Sequence, residues 1–148
     1  MSQEAEKHVA EEKRQRAIER LKLEKKLTSN NKAIRTLYVD SVKLTTECYN
    51  FLFSMSNSNR KAIGDLLLNS CIDLVYYAGL FILKNKFTNR IENIREFHKV
   101  FERIRTHVRV CLECRIVQPN SATNVLNYIT RISDHLYPIL EEIAERAR

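Results

Sequence analysis

The chain has 148 residues, a length that suits one domain around one core. Apolar residues make up 44% and charged residues 29%, so it can bury a core and is not disordered by composition. Only two glycines and two prolines all but exclude tight-turned sheets and phosphate-cradling loops, and no Walker loop or dinucleotide fingerprint can be written around Gly64 and Gly79. What remains is an all-α protein with few, short connections. Twenty-five Lys and Arg against 18 Asp and Glu leave a net charge of +7, which favours an anionic partner, either nucleic acid or a membrane surface. The N-terminus, Met1-Ser2-Gln3-Glu4, is polar and carries no secretory signal. A reducing cytoplasm is therefore expected, with Cys48, Cys71, Cys111 and Cys114 as thiols.

Residues 1–28 hold eight basic and six acidic residues, with thin apolar spacing at Val9, Ala17, Ile18, Leu21 and Leu23. Pairs such as Glu12 with Arg16, four apart, each support a solvated helix by about 0.2–0.5 kcal/mol. A lone helix of this kind is marginal in water, so the segment is expected to stay partly unfolded until it docks on a partner or another subunit. Residues 1–30 are thus a charged helical extension and 31–148 the folded domain. The helical period becomes strong over 33–53, where Ile34, Leu37, Val42, Leu44, Tyr49, Leu52 and Phe53 supply the apolar positions. A loop follows at 54–59, with Ser58 or Asn59 as the cap of the next helix. That helix, over 60–84, is apolar enough to suggest a membrane span. The polar stripe Asp65, Asn69 and Asp73 argues against one, because two carboxylates at membrane depth are costly. A turn at 85–88, with Thr88 as cap, leads to a helix over 89–117 that breaks at Gln118-Pro119-Asn120-Ser121. The last helix, over 122–147, is expected to bend at Pro138. Four long helices with three short connections predict an antiparallel up-down-up-down four-helix bundle.

The third bundle helix is the informative one. Ile94, Phe97, Val100, Phe101, Ile104, Val108, Cys111 and Leu112 form one apolar arc. Arg95, Lys99, Arg103, Arg105 and Arg109 spread over the remaining arc, interleaved with Glu92, Glu96, Glu102 and Glu113. Arg60, Lys61, Lys84, Lys86 and Arg90 add basic groups at the helix ends on the same half. These ten residues are the candidate nucleic-acid-binding set, since guanidinium forks suit phosphate oxygens; the plain alternative is a solvated charged face. Nothing resembles a base-reading helix-turn-helix, so such binding would be largely independent of sequence. Cys111-Leu112-Glu113-Cys114 lies near a helix end, away from the N-terminal position that activates a redox CxxC, and no second cysteine pair completes a zinc site. His98, His107 and His135 have no nucleophile at recognisable spacing. No catalytic residue, metal or cofactor is therefore assigned.

Glu47-Cys48-Tyr49-Asn50-Phe51-Leu52-Phe53, the basic-Ile-Gly opening of the second bundle helix within Asn59–Asn69, and Ile104-Arg105-Thr106-His107-Val108-Arg109 within residues 97–120 carry a resemblance. Over about residues 40–143 the chain resembles the accessory variability determinant (Avd) proteins of diversity-generating retroelements, relatives of the four-helix proteins encoded in intervening sequences of 23S ribosomal RNA genes. The resemblance implies a basic bundle assembled into a homopentameric barrel. It also implies a non-enzymatic role: binding the element's reverse transcriptase together with RNA and DNA to support mutagenic reverse transcription. The competing readings are a ribosomal intervening-sequence protein and a helical protein- or membrane-surface interaction module using residues 1–28.

Overall fold

The computed structural model describes residues 2–29, 31–82 and 90–147. The turn expected at 85–88 with its cap Thr88, and the candidate cations Lys84 and Lys86, lie outside the described residues. Among those described, all regular structure is helical, with no strand. Helix α1 spans Gln3–Ser29 and α2 spans Asn31–Leu52. A short α3, Asn57–Asn59, runs through a π-helical turn, Arg60–Gly64, into α4, Asp65–Ile82. Helix α5 covers Arg90–Glu113, and a 3-10 turn, Pro119–Ala122, opens α6, Thr123–Ala147.

The apolar period of the sequence becomes one shared core. Leu37, Leu44 and Cys48 of α2 meet Leu67, Leu74 and Phe81 of α4, Phe97, Phe101 and Ile104 of α5, and Ile132 and Leu136 of α6. Each such side chain, fully buried, stabilises the fold by roughly 1.5–3 kcal/mol relative to exposure. The Phe81 and Phe97 rings, 5.3 Å apart, tie α4 to α5. Helix α2 packs on α4 and α6, α4 on α5, and α5 meets α6 along a thinner seam. Gly64 lies against Leu52, and Gly79 faces Tyr38. The stretch Asn57–Phe81 is long and apolar enough to cross a membrane by length and composition alone. Its inner side belongs to the shared core, whereas Asp65, Asn69 and Asp73 lie exposed.

The charged N-terminal segment, expected as a helical extension, is helical over Gln3–Ser29. Ser2 caps it, its Oγ accepting from Ala5 N at 3.3 Å, and Glu4 and Glu6 suit the positive end of the helix dipole. Its described side chains through Lys22 are exposed apart from half-buried Ala5, and it reaches the rest of the fold at α5.

Two boundaries differ from those expected from sequence. The helix expected over 60–84 starts at Asn57, and its cap is Ser56 instead of Ser58 or Asn59; Ser56 Oγ accepts from Asn59 N at 3.3 Å. Helix α5 ends at Glu113, four residues early, because Arg115 takes a left-handed φ of 54°. Ile116 N then donates back to Cys111 O at 2.9 Å, which closes the helix with a Schellman-type turn. That turn brings Val117 into the core, although the helical period had placed it outside the apolar arc.

Candidate nucleic-acid interface

The candidate cations divide by what their side chains already hold. Arg60 is committed to the end of α2: Nε donates to Leu52 O at 3.1 Å and Nη2 to Met55 O at 3.3 Å, and the guanidinium lies 5.1 Å from the Phe53 ring centre. These carbonyls lie at the end of α2 and in the turn that follows it, where Leu52 O also accepts from Met55 N at 3.1 Å. Lys61 is exposed. Arg90, at the start of α5, is buried, and its Nη1 has no hydrogen-bond partner. Along α5, Lys99 pairs with Glu96 at 3.1 Å, and Arg103 reaches Asp73 of α4 at 3.7 Å. Arg95 and Arg109 are exposed and make no ion pair among the described residues. Lys99, Arg95 and Arg109 share the outward face of α5, so the structure brings those three together and turns Arg103 and Arg105 towards neighbouring helices.

Arg105 is the clearest structural arginine of the set. Its Nη1 donates to Tyr137 Oη of α6 at 2.6 Å and to Glu102 Oε1 at 3.1 Å, and the guanidinium lies 5.9 Å from the Phe101 ring centre. Tyr137 Oη in turn donates to Glu102 Oε1, and His98 approaches the same carboxylate at 3.6 Å. Burial pushes the Glu102 carboxyl up, but the Tyr137 hydroxyl, Arg105 and His98 outweigh it and hold it below the ordinary value. Burial and the bond to Glu102 push the Tyr137 phenol up. This three-residue knot joins α5 to α6.

A pair absent from the sequence reading joins α2 to α6. Asp40 is 1% exposed, and both its oxygens accept from Arg131, from Nε and Nη2, each at 3.3 Å. The Arg131 guanidinium also lies 5.8 Å from the Tyr128 ring centre. Ninety-one positions separate the partners, so no local spacing could reveal them. The apolar run around Asp40 was the available signal, because a carboxylate on a core face needs a cation.

Cys48, Cys71 and Cys111 are buried free thiols from three helices, and Cys114 is exposed. The hydrogen bond with Cys71, together with burial, drives the Cys48 thiol far above its ordinary range. Burial also raises the Cys111 thiol, with a contribution from Cys114. Neither is a ready thiolate, so Cys111 lacks the low pKa that makes a CxxC reactive. Among the described residues no group of three or more His, Cys, Asp and Glu is placed to hold a metal ion. Comparison with protein-family models, with curated proteins and with solved structures finds no match.

Proposed function

We propose that this protein is a non-enzymatic accessory protein that binds nucleic acid through its basic surface and works beside a reverse transcriptase, as the Avd resemblance implies. The observation that carries the reading is the +7 charge together with outward cations that pair with no carboxylate among the described residues, Lys61, Arg95 and Arg109 among them. Such groups are available to phosphate, whereas Arg60 and Arg105 serve the fold. The helix pairings α2 with α4, α2 with α6 and α4 with α5 support an antiparallel four-helix bundle as the unit of assembly. Exposed apolar side chains on α2 and α4 support a homo-oligomer, a pentamer by the resemblance. The N-terminal helix, balanced in charge and solvent-facing, is the candidate contact for the polymerase.

The test has two arms. Full-length protein should bind RNA and DNA with steep salt dependence and little sequence preference, and absence of binding at low salt overturns the nucleic-acid reading. It should also co-purify with a reverse transcriptase encoded beside it, and deletion of residues 1–28 should weaken that association while RNA binding persists. Failure of the full-length protein to hold such a polymerase rejects the family reading.

A further inference from the structure

We propose that the seam between α2 and α6 is a groove for single-stranded nucleic acid, gripped by Lys32, Arg35 and Lys43. The inference rests on the nucleic-acid reading above and assigns it a surface that lies away from the α5 cations. Lys32, Arg35, Val39 and Lys43 fall at i, i+3, i+7 and i+11 on α2, one stripe of the helix. They line a depression of about 390 Å³ whose opposite wall is Arg131 of α6. Lys32, Arg35 and Lys43 are exposed, and none makes an ion pair among the described residues. The sole carboxylate among the described residues of the depression, Asp40, is buried and already held by Arg131. Three unneutralised cations thus follow one another over about 16 Å of helix, at 1.5 Å per residue. By contrast, Lys99, Arg103 and Arg105 on α5 all have carboxylate partners.

The seam continues past Arg131 into a second depression of about 670 Å³, lined by Asn124, Asn127 and Tyr128 of α6 and, on the α2 side, by Glu47. Arg131 is pinned by Asp40, lies beside the Tyr128 ring and remains 57% exposed, so it presents a planar, fixed guanidinium to the groove. Cations along one wall with amides, a planar guanidinium and a phenol beyond them match a strand whose phosphates are held and whose bases are turned inward. A channel between two packed helices, whose axes are about 8–10 Å apart, suits one strand; a duplex offers it phosphates alone. Glu47, one turn beyond Lys43 on the same α2 wall, repels phosphate and so ends the cationic stretch at Lys43.

The experiment uses full-length protein, fluorescence anisotropy and a short labelled oligonucleotide, single-stranded or as a duplex. For three cations on a single strand, affinity should fall about twentyfold between 50 and 200 mM salt. The triple variant Lys32→Glu, Arg35→Glu, Lys43→Glu should lose about tenfold or more in single-strand affinity and lose the preference over duplex. The control pair Arg95→Glu, Arg109→Glu should weaken both ligands alike and keep that preference. If the triple variant is unfolded by circular dichroism, Lys32→Gln with Lys43→Gln is measured instead and should lose affinity in the same direction. Wild-type binding with either groove variant unchanged overturns the groove and leaves the broader nucleic-acid reading standing. Duplex competing as well as single strand overturns the single-strand assignment. Wild-type protein that binds neither ligand removes both readings.

Discussion

Asp40 shows how one side chain constrains this fold. A carboxylate that is 1% exposed is tolerated because Arg131 gives it two hydrogen bonds, while Ser41 beside it satisfies itself by donating to Leu37 O at 2.6 Å. Arg131→Met keeps the length of the stem and strands the buried charge. Stability should fall by about 3 kcal/mol, read as a shift in the urea midpoint at constant slope, and an unchanged midpoint would show that Asp40 finds other solvation. His107 makes a second residue-scale case. Its Nδ1 is buried without a partner, and burial, aided by Arg103 one turn back, holds the imidazole pKa below 6.5. The folded state therefore takes up the proton less readily than the unfolded chain. The stability His107 contributes is complete above pH 6.5 and declines as pH falls below it. The Glu102 carboxyl, held below 4.5, contributes stability that is present above that value and lost only as pH falls through its lower folded pKa. In the window between pH 4.5 and 6.5, His107 thus dominates of the two. His107→Phe should flatten the melting temperature across that window, and a profile as steep as wild type would assign the acid sensitivity elsewhere.

At the scale of the element, helices were legible wherever the 3.6-residue period carried the information. Leu37, Leu44, Phe97, Phe101, Ile104 and Val108 all sit in the core as the wheel required. The departures lie where a single backbone torsion or a distant partner decides. Arg115 ends α5 in a conformation that favours glycine, and nothing in its side chain announces it. Arg60 reads as a surface cation, yet its work is to close α2, eight residues back. Arg105 reads as one cation among several on the charged arc of α5, yet Arg103 takes Asp73 and Arg105 turns to α6. Two substitutions follow from the backbone. Arg115→Gly should raise stability by about 0.5–1 kcal/mol, since the left-handed position no longer carries a Cβ. Gly79→Ala should do likewise by about 0.5–1 kcal/mol: it lies inside α4, and the nearest atom to the new methyl is Tyr38 Cε2 at an ordinary 3.9 Å. Gly64 is different, because a methyl there would meet Leu52 Cδ2 at 3.2 Å. Thermal unfolding that ranks Gly64→Ala above Gly79→Ala would contradict this account of the α2–α4 contact.

At the scale of the whole molecule, the issue is apolar surface that one chain leaves uncovered. Ile72 and Tyr76, four residues apart on α4, are 60% and 61% exposed, and Val42, Tyr49 and Phe53 of the neighbouring α2 are exposed as well. Leu52 against Gly64 and Tyr38 against Gly79 set α2 alongside α4 in opposite directions, so these side chains fall on adjoining outward faces. An apolar strip of this kind, bordered by Asp65, Asn69 and Asp73, has the composition of an interface centre with a polar rim. If copies of the chain cover it, Ile72→Glu with Tyr76→Glu should break the assembly without unfolding the subunit, because neither side chain belongs to the core. Light scattering should then report a single chain while the helical circular dichroism signal stays at the wild-type level. Multivalent nucleic-acid binding should weaken in parallel, since linked weak sites gain from effective concentration and separate ones do not. Wild-type protein that is already a monomer at micromolar concentration would assign the strip to a different partner, and an assembly that survives both glutamates would move the interface off α4.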